Sequence, residues 1–164
     1  MNTATKAART GETRQLVVFS IADEVYAVDI HQVKEIIRVP EITRVPRTPE
    51  FVEGVVNLRG SVIPVIDLRK RLGFEAGEAG RDQRIVVMEM GEQTVGMIVD
   101  SVSEVLQVAV EDIEPPSPYV LSIDSQYIVG IAKLEERLVI LLDADRVLSA
   151  EEREAMAQIA GEEE

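Results

Sequence analysis

Apolar positions in this chain fall in short, β-branched-rich runs broken by turn residues, the pattern of a strand-rich fold. Leu16 to Ile21 reads as a strand, Asp23-Glu24 as a turn, and Val25 to Ile30 as a second strand of alternating character. Asp29 to Lys34 predicts one helical turn that Asp29 can cap, and Glu35 to Val39 resumes a strand. Pro40, Pro46 and Pro49 forbid a long helix in the next stretch, although Thr48-Pro49-Glu50-Phe51 reads as a compact helix start. Gly54 to Leu68 (GVVNLRGSVIPVIDL) predicts a hairpin whose two apolar arms flank Asn57-Leu58-Arg59-Gly60, with Gly60 where the backbone must turn. A short basic turn, Arg69 to Leu72, ends at Gly73. Ser149 to Ala160 predicts a helix, because Ser149 and Glu152 form an S-x-x-E capping box. Its apolar stripe of Met156 and Ile159 is thin, so the helix is expected to rest on the surface.

The pattern occurs twice. Gln15 to Phe19 matches Arg84 to Met88, 69 positions later, and Val33 to Ile37 matches Val102 to Leu106 at the same shift. Phe51 to Val55 matches Tyr127 to Ile131, and Val62 to Asp67 matches Leu138 to Asp143, both at a shift of 76. The second copy therefore carries a longer connector within Glu111 to Gln126, containing Pro115, Pro116 and Pro118. Apolar positions agree between the copies, whereas Asn57, Arg59, Gly60 and Pro64 become Lys133, Glu135, Glu136 and Ile140. Shared positions report packing, and divergent ones report specialisation, so function is expected on the first copy's hairpin tip. An arginine beside a glycine at a hairpin tip is equally a solvated turn residue, and pattern alone leaves both readings open.

The 164-residue length allows one domain or two small subdomains sharing an interface. A chain of this size buries roughly 70% of its unfolded surface, whereas each repeat alone would be marginal. The expected organisation is a mobile tail over 1–14, a first barrel mainly over 15–73, a linker over 74–82, a second barrel mainly over 83–148, and a C-terminal helix with an acidic tail over 149–164. The net charge of −13 is uneven: residues 1–71 carry +2 and residues 72–164 carry −15. Such an acidic second half repels phosphate backbones and argues against nucleic-acid binding. There is no cysteine, which excludes disulfides and thiolate chemistry. No apolar run approaches the ~20 residues of a membrane span, and the N-terminus lacks the apolar core of a signal peptide, so a cytoplasmic location without membrane insertion is expected.

Candidate chemistry is sparse. His31 is the sole histidine and has no cysteine or second histidine with which to share a metal. Ser20, Ser61, Ser101 and Ser103 lack a G-x-S-x-G setting, and neither a P-loop nor a Rossmann fingerprint is present. Asp67 and Asp143 end equivalent strands in the two copies, which favours a structural role such as capping the following turn. Met88 and Met90 read as core or interface filler. No cofactor, metal site or catalytic residue is implied. A ligand-binding or nucleic-acid-binding barrel would call for aromatic platforms and a basic face, yet the chain has no tryptophan and 4% aromatic residues.

Val33-Lys34-Glu35-Ile36, Thr43-Arg44-Val45-Pro46, Phe51-Val52-Glu53-Gly54, the hairpin through Asp67 and Val99 to Leu106 together resemble the CheW family of chemotaxis coupling proteins, over about Gln15 to Leu148. The resemblance implies an all-β fold of two tandem five-stranded SH3-like barrels, with short helical turns and a C-terminal helix. It implies a non-catalytic adaptor that joins the cytoplasmic tips of chemoreceptors, in membrane-associated arrays, to the regulatory domain of the histidine kinase CheA. A related pathway such as surface motility is an alternative. Carried over by position, Val33, Glu35, Val102 and Val105 are expected at a receptor-binding groove between the barrels, and Ile42 and Val62 on a face toward the kinase. Asn57, Arg59 and Gly60 form the hairpin tip, where Arg59 acts either by contact or by holding the fold, and Gly54 is expected to be structural because Gly130 shares it.

Overall fold

The computed structural model describes residues 12–74, 80–115, 127–134 and 137–163, and in it the two copies interlock by exchanging strands. The first copy supplies β1 (Thr13–Ile21), β2 (Glu24–Asp29), β3 (Val33–Arg38), β4 (Val52–Leu58), β5 (Ser61–Asp67) and the single-turn helix α1 (Leu68–Arg71). The second supplies β6 (Arg84–Met90), β7 (Gln93–Val99), β8 (Ser101–Ala109), β9 (Ile113–Glu114), β10 (Ile128–Leu134), β11 (Arg137–Leu142) and α2 (Ala144–Val147). The helix α3 (Ala150–Glu163) closes the chain. One sheet runs β8-β1-β2-β11-β10-β9, the other β3-β6-β7-β5-β4. The orders coincide once each strand is replaced by its duplicate, and the bridge between Thr43 and Val55 stands where β9 pairs with β10.

Each sheet thus takes its first hairpin from the opposite copy, and the halves 15–73 and 83–148 expected from the duplication do not correspond to the two sheets. One sheet has the expected five strands; the other has six because β9 forms where the first copy makes a lone bridge. The edge strands β8 and β9 are joined by a three-residue 3₁₀ turn, Val110–Asp112, so the six-stranded sheet curls until its ends are adjacent. Three further expectations change. Thr13 and Arg14, expected within a tail over 1–14, belong to β1 and pair with Ala109 and Val108 on β8. Pro49 to Phe51 form a turn, closed by Val52 N–H donating to the Pro49 carbonyl at 3.0 Å, and not a helix start. Met156 is fully buried and Ile159 nearly so, which makes α3 part of the main core and not a surface attachment. The proline-rich connector beyond residue 115 and the linker over 75–79 lie outside the described residues.

Burial explains why the strands read as continuous apolar runs. Leu16 and Val18 face the interior of the six-stranded sheet, while Val17 and Phe19 face a core shared by both sheets. On the duplicate strand β6, Ile85 and Val87 face the interior of the five-stranded sheet, and Val86 and Met88 enter the same shared core. Strands buried on both faces lose the apolar–polar alternation of a half-exposed strand. Met88 and Met90 fill this interface, as expected of adaptable side chains.

The turns that position the hairpin follow from single residues. Asp67 and Asp143 accept the backbone N–H two residues on, each at 2.9 Å, and so cap α1 and α2 equivalently. Asp29 caps the 3₁₀ turn Ile30–Gln32 through the N–H of His31. Ser149 and Glu152 exchange the two bonds of the capping box at the start of α3. Gly54 lies at a bulge with φ of 145°, and a Cβ there would stand 2.1 Å from the Thr43 carbonyl oxygen. At its duplicate Gly130 the approach is close but looser, a Cβ standing 2.7 Å from the Glu114 carbonyl oxygen. Both glycines let the segment from the far edge pair with the hairpin.

Candidate functional site

The hairpin tip is a two-residue turn in which Arg59 (φ 52°) and Gly60 (φ 89°) both occupy left-handed conformations, as the right-handed twist of paired strands requires. Asn57 Oδ1 accepts the Gly60 N–H at 2.9 Å and fixes the turn. Asparagine or glycine suits the first of these positions better than arginine does. The arginine is held there by what its side chain reaches. Arg59 Nη1 donates to Glu35 Oε1 at 3.2 Å and Nη2 donates to Oε2, a two-point ion pair between the hairpin and β3. β3 and β4 are opposite edges of the five-stranded sheet, so this pair spans its two ends. The Arg59 guanidinium holds the Glu35 carboxyl below the usual glutamate range, and the same bond raises Arg59.

A groove of about 530 Å³ opens beside the pair, lined by Lys34 and Glu35, by Leu58, Arg59 and Ser61 to Pro64 of the hairpin, by the start of β7, and by Ala157 of α3. Sequence-predicted residues with different expected partners, Glu35, Arg59 and Val62, therefore meet at one site. Val62 is half-buried against the shared core. Val33 and Val102 also pack against that core from β3 and β8, outside the groove. Val105 is 51% exposed on β8, and Ile42 is half-buried against the interior of the five-stranded sheet.

The second copy contains a counterpart that the aligned residues conceal. Arg137 Nη2 donates to Glu104 Oε2 at 2.6 Å, and Glu104 is the duplicate of Glu35. The arginine comes from the first residue of β11, two positions beyond the residue aligned with Arg59. The ion pair is therefore not peculiar to the first copy. What differs is the cover. α3 packs over β5 beside Val62, whereas Leu138, the duplicate of Val62, is 56% exposed. Leu138 and the exposed Ile36, the duplicate of Val105, were not singled out from sequence, although aligning the copies at these positions would have marked both.

Arg69, Arg71 and Asp100 also escaped sequence reasoning. Arg69, nearly buried, donates from Nε and Nη2 to the two oxygens of the fully buried Asp67 at 3.0 and 2.8 Å. Its Nη1 reaches Asp100 at 3.3 Å, and Asp100 accepts the Ala22 N–H of the β1–β2 turn at 2.8 Å. This chain of contacts ties the five-stranded sheet to the six-stranded one. Arg71 lies over the rings of Phe51 and Tyr127, duplicates of each other, at 4.9 and 5.2 Å, and donates to Glu152 at 2.8 Å. It thereby anchors the start of α3. Among the described residues, no group of three or more His, Cys, Asp or Glu side chains is placed to hold a metal ion, and no helix is long and apolar enough to cross a membrane.

The family model of the CheW-like domain matches residues 15–152, which assigns the two interlocked sheets to the CheW-like class of module. A chemotaxis protein CheW from Klebsiella aerogenes is 35% identical over 96% of this chain and 96% of its own length. One from Bacillus subtilis is 38% identical over 87% of this chain and 90% of its own. The crystal structure of the scaffolding protein TtCheW from Thermoanaerobacter tengcongensis superposes with a TM-score of 0.79 and 41% identity, over 86% of this chain and 91% of that one. The chain belongs to the CheW family of chemotaxis scaffold proteins.

Proposed function

We propose that this protein is a non-catalytic cytoplasmic adaptor that couples the tips of chemoreceptors in membrane-associated arrays to the regulatory domain of a CheA-type histidine kinase. The observation that carries the reading is the Glu35–Arg59 pair, set across the two edges of one sheet at the rim of an open groove. An exposed ion pair contributes little to stability, and Arg59 occupies a backbone conformation that arginine disfavours. A fold that needed only a turn would place asparagine or glycine there. A groove that must read a partner gains from a carboxylate and a guanidinium already oriented toward each other, since a partner can exchange one ion pair for another at small cost. On this reading Val33, Glu35, Val102 and Val105 serve the receptor, and Val62 the kinase. Ile42 supports the kinase side from within the sheet.

Kinase autophosphorylation measured with receptor fragments, with and without this protein, tests the coupling. A receptor-dependent change in rate that requires the protein is expected. Glu35→Lys should abolish that change while the melting temperature stays within about 3 °C of the native value, because the site is exposed. A rate indifferent to the protein, with folded and active partners, refutes the reading.

A further inference from the structure

The two sheets differ in charge at one facing pair whose neighbours pack alike. β3 and β6 end on the facing residues Arg38 and Arg84. Their duplicates on β8 and β1 are Gln107 and Gln15, which face each other in the same register. The neighbouring pairs are apolar in both sheets: Ile37 with Ile85, and Leu106 with Leu16. Like charges directly opposite on antiparallel strands are destabilising, and the other sheet shows that a neutral pair fits. The exposed Arg81 stands just before β6, and the three arginines line a depression of about 660 Å³ together with one carboxylate, the exposed Asp82. Arg84 Nη1 donates to the carbonyls of Arg81 and Gln83 at 3.0 and 2.7 Å, which fixes the guanidinium without neutralising it. Among the described residues none of the three forms a salt bridge. Three arginines against the single carboxylate of Asp82 leave the depression net positive on a chain of net charge −13.

We infer that Arg38, Arg81 and Arg84 form a docking surface for an acidic segment of a partner protein. Charge complementarity sets the sign, and the planar guanidinium fork suits carboxylates. Ile36, 39% exposed, precedes Arg38 by two residues and therefore lies on the same strand face. That apolar neighbour favours a peptide with an apolar side chain beside its carboxylates over a free anion. The surface lies on the strand that carries Val33 and Glu35, toward its other end, yet the inference stands on the comparison of the two sheets and not on the coupling reading.

The test uses the full chain and a fluorescent synthetic peptide in which one leucine is set among glutamates, with a glutamine-substituted peptide as control. Arg38→Gln with Arg84→Gln installs the pair that the other sheet already carries, so the double variant should melt at or above the native temperature. The native protein should prefer the glutamate peptide, with affinity falling as salt rises, and the double variant should bind it at least about fivefold more weakly. Equal binding by the variant, or equal binding of the two peptides, overturns the inference. A melting temperature lowered by more than about 5 °C would make the arginines structural and overturn it as well. Salt-sensitive self-association that the double variant abolishes would assign the surface to a second copy of this chain and not to a partner.

Discussion

Replacing Arg69 by methionine tests whether its contacts with Asp67 and Asp100 hold the two sheets in place. Methionine keeps much of the packing volume but leaves Asp67, fully buried, with the Arg69 backbone N–H in place of the two guanidinium bonds at 3.0 and 2.8 Å. It also frees Asp100 from Arg69 at the β7–β8 junction. Breaking a buried pair by removing one partner costs about 3–5 kcal/mol, because the remaining charge stays desolvated. Against a total stability of about 5–15 kcal/mol, and at about 2–4 °C per kcal/mol for a domain of this size, the melting temperature should fall by roughly 6–20 °C. The double variant Asp67→Asn with Arg69→Met removes both charges and keeps a side-chain acceptor for the cap of α1. It should recover a substantial part of the loss, since a buried ion pair has little net advantage over a neutral replacement. Thermal and urea unfolding followed by circular dichroism give both numbers. A single variant within about 3 °C of the native protein, or a double variant no better than the single, would refute this account of the junction.

Gly54→Ala should destabilise by roughly 3–6 kcal/mol, the sum of a strained positive φ, an overlap with the Thr43 carbonyl and weakening of the bonds at 2.9 and 2.8 Å between Thr43 and Val55. Gly60→Ala, where a Cβ meets nothing within 4 Å, should cost about 1 kcal/mol from its φ alone; urea denaturation separates the two, and equal costs would contradict the close approach at Gly54. Arg59→Ala should leave the fold intact, as removal of an exposed pair does, while receptor-dependent kinase activation is lost; an unfolded variant would make Arg59 architectural. Because the folded Glu35 carboxyl sits below its ordinary value, the pair's contribution is complete above the usual glutamate pKa of about 4.3 and disappears as pH falls through the lowered one. The Glu35 carboxyl followed by NMR should therefore titrate at a lower midpoint in the native protein than in Arg59→Ala, and identical midpoints would show that the pair does not form in solution.

The elements were legible because local chemistry sets them. Capping aspartates and the Ser149–Glu152 box each satisfy a backbone group next to them in sequence, the glycine at the hairpin tip supplies the left-handed turn, and all recur in the structure. The expected helix start at Thr48 failed for a related reason: proline at a first helical position is a preference and not a command, and the Val52 N–H closes a single turn instead. Glu35 and Arg59 were each visible as residues of interest, but their meeting depends on a sheet curled so that its edges approach, which no local signal encodes.

Strand exchange between the copies is invisible for a deeper reason. The duplication makes β1 and β6 interchangeable in apolar pattern, so either could complete either sheet with the same burial. What distinguishes the pairings is connection geometry. The five residues Val39 to Thr43 carry the chain from β3, at one edge of the five-stranded sheet, to the bridge with Val55 at the other. The chain can make that short crossing only around a curled sheet, and the core of that sheet is then completed by β6 and β7. In the same way β8, a turn and β9 span the six-stranded sheet, whose core is completed by β1 and β2. The exchange means that neither repeat can close its own core alone, and the largest core cluster, which draws on both sheets and α3, forms only when both are present. Cooperative unfolding of the two sheets as one unit follows, and it gives a rigid frame around the Glu35–Arg59 groove.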